Sequence, residues 1–402
     1  MNVRGLPRGV NQGDFRRFAA IEDMLSGGGG EMSKLRVGLL FGGRSVEHQV
    51  SIISATSILN ALDRKRYEIT LLGVDPDGRW HLAPPNIEPA VLLGAEAKAL
   101  GDNASDEVVL PAKPGGDTLV PGGAGSLGAS LDVIFPIIHG RGGEDGSLQG
   151  LLEMAGIAYV GSGVLASAVQ MDKDTAKHLL RAAGLPVVPW LTFRGNDLTP
   201  ERIPDTARRA LGELGAPLYV KPANSGSSVG ICCAENFDEL VAAIEEARRY
   251  DTKIIIEQAV DAREVEVAVI GNDSPQASLP GEIRPKSAFY DYEAKYLDDS
   301  TQLIIPAEVT QEQSDAIREL AVRAFRALEA TGLARVDFLL RRSDGELFIN
   351  ELNSLPGFTE VSMFPRLWEA TGLSYTELLD RLIELALDRH AQTSALETHH
   401  RP

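Results

Sequence analysis

The chain has 402 residues, with 39 Lys plus Arg against 57 Asp plus Glu and a formal net charge of −18 at pH 7. At 44% hydrophobic and 24% charged residues, it has the composition of a soluble globular protein with two or three domains and real cores, which excludes a small disulfide-stapled scaffold. Its acidic mean field argues against non-specific binding to nucleic acid or anionic membrane, so an anionic ligand needs counter-charge from a few placed Lys and Arg residues or from a metal ion.

Residues 1–31, ending in SGGGGE, carry no sustained hydrophobic period and no signal-peptide core, and read as a disordered leader. No run of eighteen apolar residues occurs. The two cysteines are neighbours, Cys232 and Cys233, where a bridge would be strained. They read as reduced packing residues of a reducing compartment, which predicts a cytoplasmic protein. From Met32, strand and helix signals alternate: VGLLF (37–41), a helical VSIISATSILNAL, then YEITLLGV (67–74). This is the βαβ rhythm of a doubly wound parallel sheet.

Residues 93–130 are rich in Gly, Pro, Asp and Ala and read as an elaborated loop with one strand-like DEVVL, before LDVIFPIIHG supplies another buried strand. A first α/β domain is therefore predicted over 32–165. A helix beginning near Asp172 and closed by Gly184 and Pro186 opens a second, mixed α+β region over 166–257. The third, 258–389, carries the strand REVEVAVIG, a Tyr- and Asp-rich loop, the helix TQEQSDAIRELAVRAFRALEATG, and the strands ARVDFLLRR and ELFINELN. The tail, 390–402, has no apolar face and is expected to fray.

Several segments carry chemistry. VKPANSGSSVG (220–230) joins two strands through a Gly/Ser turn, with Lys221 ending the first. Small residues let backbone N–H groups approach phosphate oxygens, and the lysine adds a point charge. The segment lacks the GK[ST] order of a Walker loop, and taken alone it reads equally well as a plain hairpin. Lys173 stands at a helix start, where a cation opposes the helix dipole at a cost of a few tenths of a kcal/mol. A bound anion would account for it, whereas an exposed lysine would need no account.

In ARVDFLLRRSDGELFINELNS, a three-residue loop of Ser343, Asp344 and Gly345 sets Arg342 opposite Glu346. Counting back pairs Asp337 with Glu351 and Arg335 with Asn353 on one face. Two carboxylates and an amide oxygen there suit Mg²⁺ bridged to phosphates. A solvated, salt-bridged face is the alternative, and a two-residue turn would put the carboxylates on opposite faces. GLLFGGRSVEHQVS (38–51) lacks GxGxxG, but sets Glu47 and His48 above a strand's carboxyl end, where ligands bind. HGRGGEDGSLQG (139–150) is a second glycine-rich turn, with His139 at its mouth. A lone His in such a place is more often structural.

Taken in order, FGGRSVEHQVS, HGRGGEDGSLQG, YVGSGVLASAVQMDK, VKPANSGSSVG, IIEQAVDAREVEVAV, FYDYEAKY and INELNSLPGFTEVSM resemble the motifs of the D-alanine–D-alanine ligases of the ATP-grasp superfamily, from about Ser33 to Leu387. The resemblance implies an N-terminal doubly wound domain followed by two α+β domains that clamp ATP. It implies that Lys173 and Lys221 contact the phosphates under a loop of Ser225, Gly226, Ser227 and Ser228. Glu257, Gln258 and the chain through Val260 would receive adenine, Glu264 the ribose, and Lys295 and Asn350 would also face the nucleotide. Many relatives carry lysine where this chain has Gln258; a backbone contact to adenine survives that change, and a side-chain contact is left open.

Asp337, Glu351 and Asn353 would hold two Mg²⁺ ions, for which Mn²⁺ can substitute. Glu47 would take the ammonium of the first D-alanine, with His139 in the substrate pocket, and Ser362 and Met363 would take the second substrate. Arg335 and the Gly357 N–H would stabilise the oxyanion. Ser227 and the lid residue Tyr296, linked with Glu47, would orient the loop and relay a proton, and Tyr296 favours an amine over a hydroxy-acid nucleophile. The implied activity is ATP-dependent formation of D-alanyl-D-alanine, a peptidoglycan precursor, through an acyl phosphate, by a homodimer. A related ligase using D-lactate or D-serine, or a non-catalytic nucleotide binder, are the competing readings.

Overall fold

The computed structural model describes residues 34–82, 89, 106–112, 119–121, 130–284 and 302–397. Among these residues three sheets succeed one another. The first comprises β1 (Leu35–Gly42), β2 (Tyr67–Val74), β3 (Trp80–Leu82), β4 (Asp106–Val109), β5 (Val120–Pro121), β6 (Val133–Pro136) and β7 (Ala158–Tyr159), in the order β5-β4-β3-β2-β1-β6-β7. Strands β2, β1, β6 and β7 are parallel, as the βαβ rhythm predicts, whereas β3, β4 and β5 extend the sheet antiparallel. Part of the segment read as an elaborated loop is thus sheet edge, because DEVVL pairs with β3.

The second sheet holds β8 (Trp190–Arg194), β9 (Leu218–Pro222), β10 (Cys232–Ala234) and β11 (Lys253–Gln258), in the order β10-β9-β11-β8. In the third, β12 (Ala262–Gly271), β14 (Gly281–Arg284), β15 (Gln302–Ile304), β16 (Gly332–Arg341) and β17 (Leu347–Asn353) run β15-β14-β12-β16-β17, with β13 (Gln276–Ala277) on β12.

Helix α1 (His48–Ala61) follows β1, α2 (Ser147–Ala155) and α3 (Val164–Met171) flank β7, and α4 (Lys173–Ala182) leads into the second sheet, where α5 (Ile203–Leu214) and α6 (Phe237–Ala247) pack. Helix α4 starts where Asp172 caps it, its carboxylate accepting the Thr175 N–H at 2.9 Å. Helix α7 (Gln311–Ala327) covers the third sheet, and α8 (Met363–Thr371) and α9 (Tyr375–Ser394) close the chain. Both α7 and α9 begin with capping boxes, Thr310 with Gln313 and Ser374 with Glu377. Helix α9 runs to Ser394, into the stretch expected to fray, because Arg389 anchors its last turns: its guanidinium donates to the carbonyl oxygens of Gly161 and Tyr159 and to Thr331 Oγ1. Among the described residues no helix is long and apolar enough to cross a membrane.

The cores explain how these parts hold together. Val37, Leu39 and Phe41 of β1 share one core with Phe358, Phe364 of α8 and Leu378, Leu382 and Ile383 of α9, so the first sheet and the chain's last helices are one body. The second sheet has its own core, from Phe193 to Ile256. Each fully buried Leu or Phe contributes about 1.5–3 kcal/mol.

The turn after β6 is equally constrained, since a Cβ on Gly143 would lie 1.9 Å from the Ile138 carbonyl oxygen. Backbone cannot yield there as a side-chain end can. Gly143→Ala is expected to cost about 2–3 kcal/mol by forced overpacking, measured as a lowered Tm against wild type.

Candidate active site

One cleft of about 660 Å³ lies where the three sheets meet, lined among others by Glu47, His139, Glu144, Lys173, Ser225, Gly226, Ser227, Ser228, Glu266, Arg335, Glu351, Asn353, Gly357, Ser362 and Met363. Its floor is the β16–β17 hairpin. Arg335 faces Asn353 and Asp337 faces Glu351, the pairing that the loop count predicts, but by another route. The loop has four residues, Arg342 to Gly345, with Arg341 opposite Glu346. A β-bulge between Asp337 and Phe338 then leaves Asn350 without an opposite residue and restores the count. Freed from the ladder's alternation, Asn350 accepts a hydrogen bond from Lys221 Nζ at 3.2 Å.

On this floor Arg335 forks onto both oxygens of Asp337 at 2.7 Å each and lies 3.0 Å from Glu266. Burial opposes its charge, but Asp337 and Glu266 outweigh burial and hold the guanidinium well above its ordinary range. Asn353 donates to Asp337 at 2.8 Å, and Glu351 lies 3.5 Å from Lys173. Among the described residues no group of three or more His, Cys, Asp or Glu side chains is arranged to hold a metal. Two carboxylates and an amide are too few ligands for a bare cation; the set suits one that keeps water and phosphate oxygens in its shell.

The Gly/Ser loop is drawn over this floor. Lys173 Nζ donates to the Ser225 carbonyl at 2.7 Å, and Ser227 Oγ donates to Glu47. Ser227 and Ser228 both adopt left-handed backbone conformations, φ 49° and 57°, which side-chain-bearing residues keep only when surroundings hold them. Below the loop, the buried Glu257 lies 2.7 Å from Lys221 and 3.1 Å from Lys177. Burial pushes its carboxyl up, but the two lysines more than reverse this and hold it below the usual carboxylate range.

Both Glu257 oxygens are thus engaged by lysines, where sequence resemblance implied an adenine contact. The exposed Gln258 donates from its amide to the Leu214 carbonyl at 3.3 Å. Val260 follows on the same segment, half-buried, and Glu264 lies near Tyr219.

At the other end, Gly357 abuts Ser362: a Cβ there would sit 3.0 Å from Ser362 Oγ, which accepts the Thr359 N–H at 3.0 Å. Ser362 precedes α8, whose first turn begins with the buried Met363. His139 is buried beside Glu47, its Nδ1 3.1 Å from the Leu355 carbonyl, and burial lowers its pKa. Lys295 and Tyr296 lie outside the described residues.

Sequence reasoning passed over three residues. Glu266 stands opposite Asp337 on β12, Lys177 follows Lys173 by one helical turn, and Glu144 lies within the quoted HGRGGEDGSLQG. Glu144 accepts the N–H groups of Gly140 at 2.6 Å and Leu355 at 3.2 Å, yet burial and the charge of Glu47 push its carboxyl up to about 8.

A seven-stranded first sheet followed by two smaller sheets that meet it at a cleft with a Lys-anchored Gly/Ser loop is the ATP-grasp architecture. Residues 36–162 match the family pattern described as D-ala D-ala ligase N-terminus, and residues 179–384 that described as D-ala D-ala ligase C-terminus. The chain is 49% identical over 370 residues to D-alanine–D-alanine ligase A of Chromobacterium violaceum, covering 91% of this chain and 98% of that one, and 48% identical over 375 residues to the D-alanine–D-alanine ligase of Shouchella clausii, covering 91% and 98%. The solved D-alanine-D-alanine ligase of Coxiella burnetii superposes with a TM-score of 0.78 at 36% identity, over 90% of this chain and 96% of that one. A D-Ala:D-Ser ligase of Enterococcus faecalis does so with a TM-score of 0.77 at 33%, over 88% and 100%. The chain belongs to the D-alanine–D-alanine ligase family.

Glu144 sets a pH dependence. Its folded pKa of about 8 exceeds the ordinary 4.5, so the folded state binds more protons than the unfolded one between these values, and stability falls as pH rises through that window. Glu144→Gln removes this dependence, and thermal unfolding at pH 6 and pH 8 is expected to show a smaller drop in Tm for the variant than for wild type.

Proposed function

We propose that the chain joins two D-alanines to D-alanyl-D-alanine at the expense of ATP, releasing ADP and phosphate. The observation that carries this reading is the Ser227–Glu47 hydrogen bond. It ties the loop suited to phosphates to a buried carboxylate suited to an amino acid's ammonium, so the nucleotide and the substrate are addressed by one contact.

A carboxylate is a poor electrophile, and transfer of the γ-phosphoryl group to one D-alanine carboxylate makes an acyl phosphate from it. The protein's share in that step is positioning and charge neutralisation, which Lys173 and Lys221 supply. Asp337, Glu351 and Asn353 would hold Mg²⁺ brought in with the triphosphate, and the ion when bound neutralises the phosphates' charge. Arg335, locked by Asp337 and Glu266, and the Gly357 N–H would meet the oxyanion formed when the second D-alanine's amine attacks, before phosphate leaves. Ser362 and the first turn of α8 offer donors to the second substrate's carboxylate. Glu47 would hold the first substrate's ammonium. The three regions 32–165, 166–257 and 258–389 act in this reading as substrate, nucleotide and metal-bearing parts of one clamp.

The test is phosphate release from ATP and Mg²⁺ with D-alanine, D-alanine plus D-serine, D-alanine plus D-lactate, L-alanine, or no addition. Release with D-alanine alone, in step with dipeptide, is expected. A mixed product in preference to D-alanyl-D-alanine would keep the ligase and change its second substrate, and no release in any arm would overturn the reading. Asp337→Ala and Glu351→Ala are each expected to lower phosphoryl transfer by roughly 10²–10³-fold or more; near-wild-type rates would remove the metal face from the mechanism.

A further inference from the structure

Helix α4 carries two lysines on one face. Lys173 lines the cleft. Lys177, one turn on, is 2% exposed and sealed off from the cleft, its ammonium 5.7 Å from the Trp190 ring centre and 3.1 Å from Glu257 Oε1. Apart from that ion pair it has no hydrogen-bond partner among the described residues. The other oxygen of Glu257, itself 3% exposed, lies 2.7 Å from Lys221 Nζ. Two ammonium groups therefore share one carboxylate out of reach of water.

A buried ammonium with so little hydrogen bonding is a poor device for stability, because its desolvation is hardly repaid. Its charge makes sense in another way. A Lys221–Glu257 pair on its own would be neutral and would offer little to an anion, in a chain whose net charge of −18 repels one. With Lys177 the cluster carries one net positive charge.

We propose that Lys177 is a positioning residue that, by drawing on Glu257 from behind, leaves Lys221 with an uncancelled positive charge to present to the nucleotide's phosphates. Burial pulls the Lys177 ammonium down from its ordinary range while Glu257 opposes that, and Lys221 is held up against its own burial chiefly by Glu257. Lys177 touches no phosphate itself. Its effect passes through the shared carboxylate, and it scales with the charge of what binds.

The proposal rests on the reading that Lys221 meets the phosphates, and Lys221→Met tests that reading separately. Calorimetric titration of the full chain with ATP and with adenosine is compared for wild type, Lys177→Met and Lys221→Met. Lys177→Met fills the same space without charge and leaves Glu257 paired with Lys221, so Tm is expected to hold or rise; Lys177→Gln serves in its place if the methionine variant does not fold. The expected result is ATP binding weakened about tenfold or more by Lys177→Met, with adenosine binding changed by less than about twofold. Equal weakening of ATP and adenosine, or no change in ATP binding while Lys221→Met weakens it, would overturn the role of Lys177 and leave the phosphate reading standing. Unchanged ATP binding in Lys221→Met would overturn both.

Discussion

Two carboxylates can serve one cation only if they stand on the same side of a sheet, and in paired strands a slip of one residue puts them on opposite sides. The floor of the cleft meets this constraint through the bulge at Asn350. Without it the four-residue loop would set Asp337 against Asn350 and turn Glu351 into the core beneath α7, where Val336 and Leu352 pack. The same irregularity gives Lys221 its amide partner. Arg335, Glu266 and Asn353 all refer their geometry to Asp337, so the register of one hairpin orders most of the polar groups on that floor.

A strongly acidic chain meets an anionic nucleotide only by concentrating cations locally and shielding them from its own field. Around the cleft three cations are each paired with a carboxylate that positions them: Arg335 with Asp337, Lys221 with Glu257, Lys173 with Glu351. Such pairs cost desolvation and are weak sources of stability, but they fix orientation. Asp172 and Asp174 extend the practice to the start of α4, where Lys253 and Arg194 answer them and hold in place the helix that carries Lys173.

Much of this was legible because burial writes itself into periodicity. VGLLF and YEITLLGV became neighbouring parallel strands, and the helix begun by Asp172 starts at Lys173. The face shared by Asp337 and Glu351 was also legible, although a loop one residue longer than assumed and a bulge cancelled one another; neither leaves a mark in alternation alone. Other features depend on tertiary contacts that no local pattern records. Arg389 prolongs α9 because carbonyls from Tyr159 and Gly161 happen to lie within reach. Lys177 and Glu266 read as ordinary charged residues until a sheet closes over them, and Glu144 was visible as a residue but not as a buried acid.

The core that joins β1 to α9 also dictates an order of assembly. Phe193 to Ile256 of the second sheet pack largely among themselves, so that unit can close as soon as it leaves the ribosome. Val37, Leu39 and Phe41 have no such freedom. Their partners Leu378, Leu382 and Ile383 emerge last, and the Tyr67–Asp380 hydrogen bond alone spans 313 residues. Helix α1 covers part of that face early, through Ile52, Ile58 and Leu59, and the part taken by α9 stays open until that helix is made, which leaves it prone to misassociation in the nascent chain.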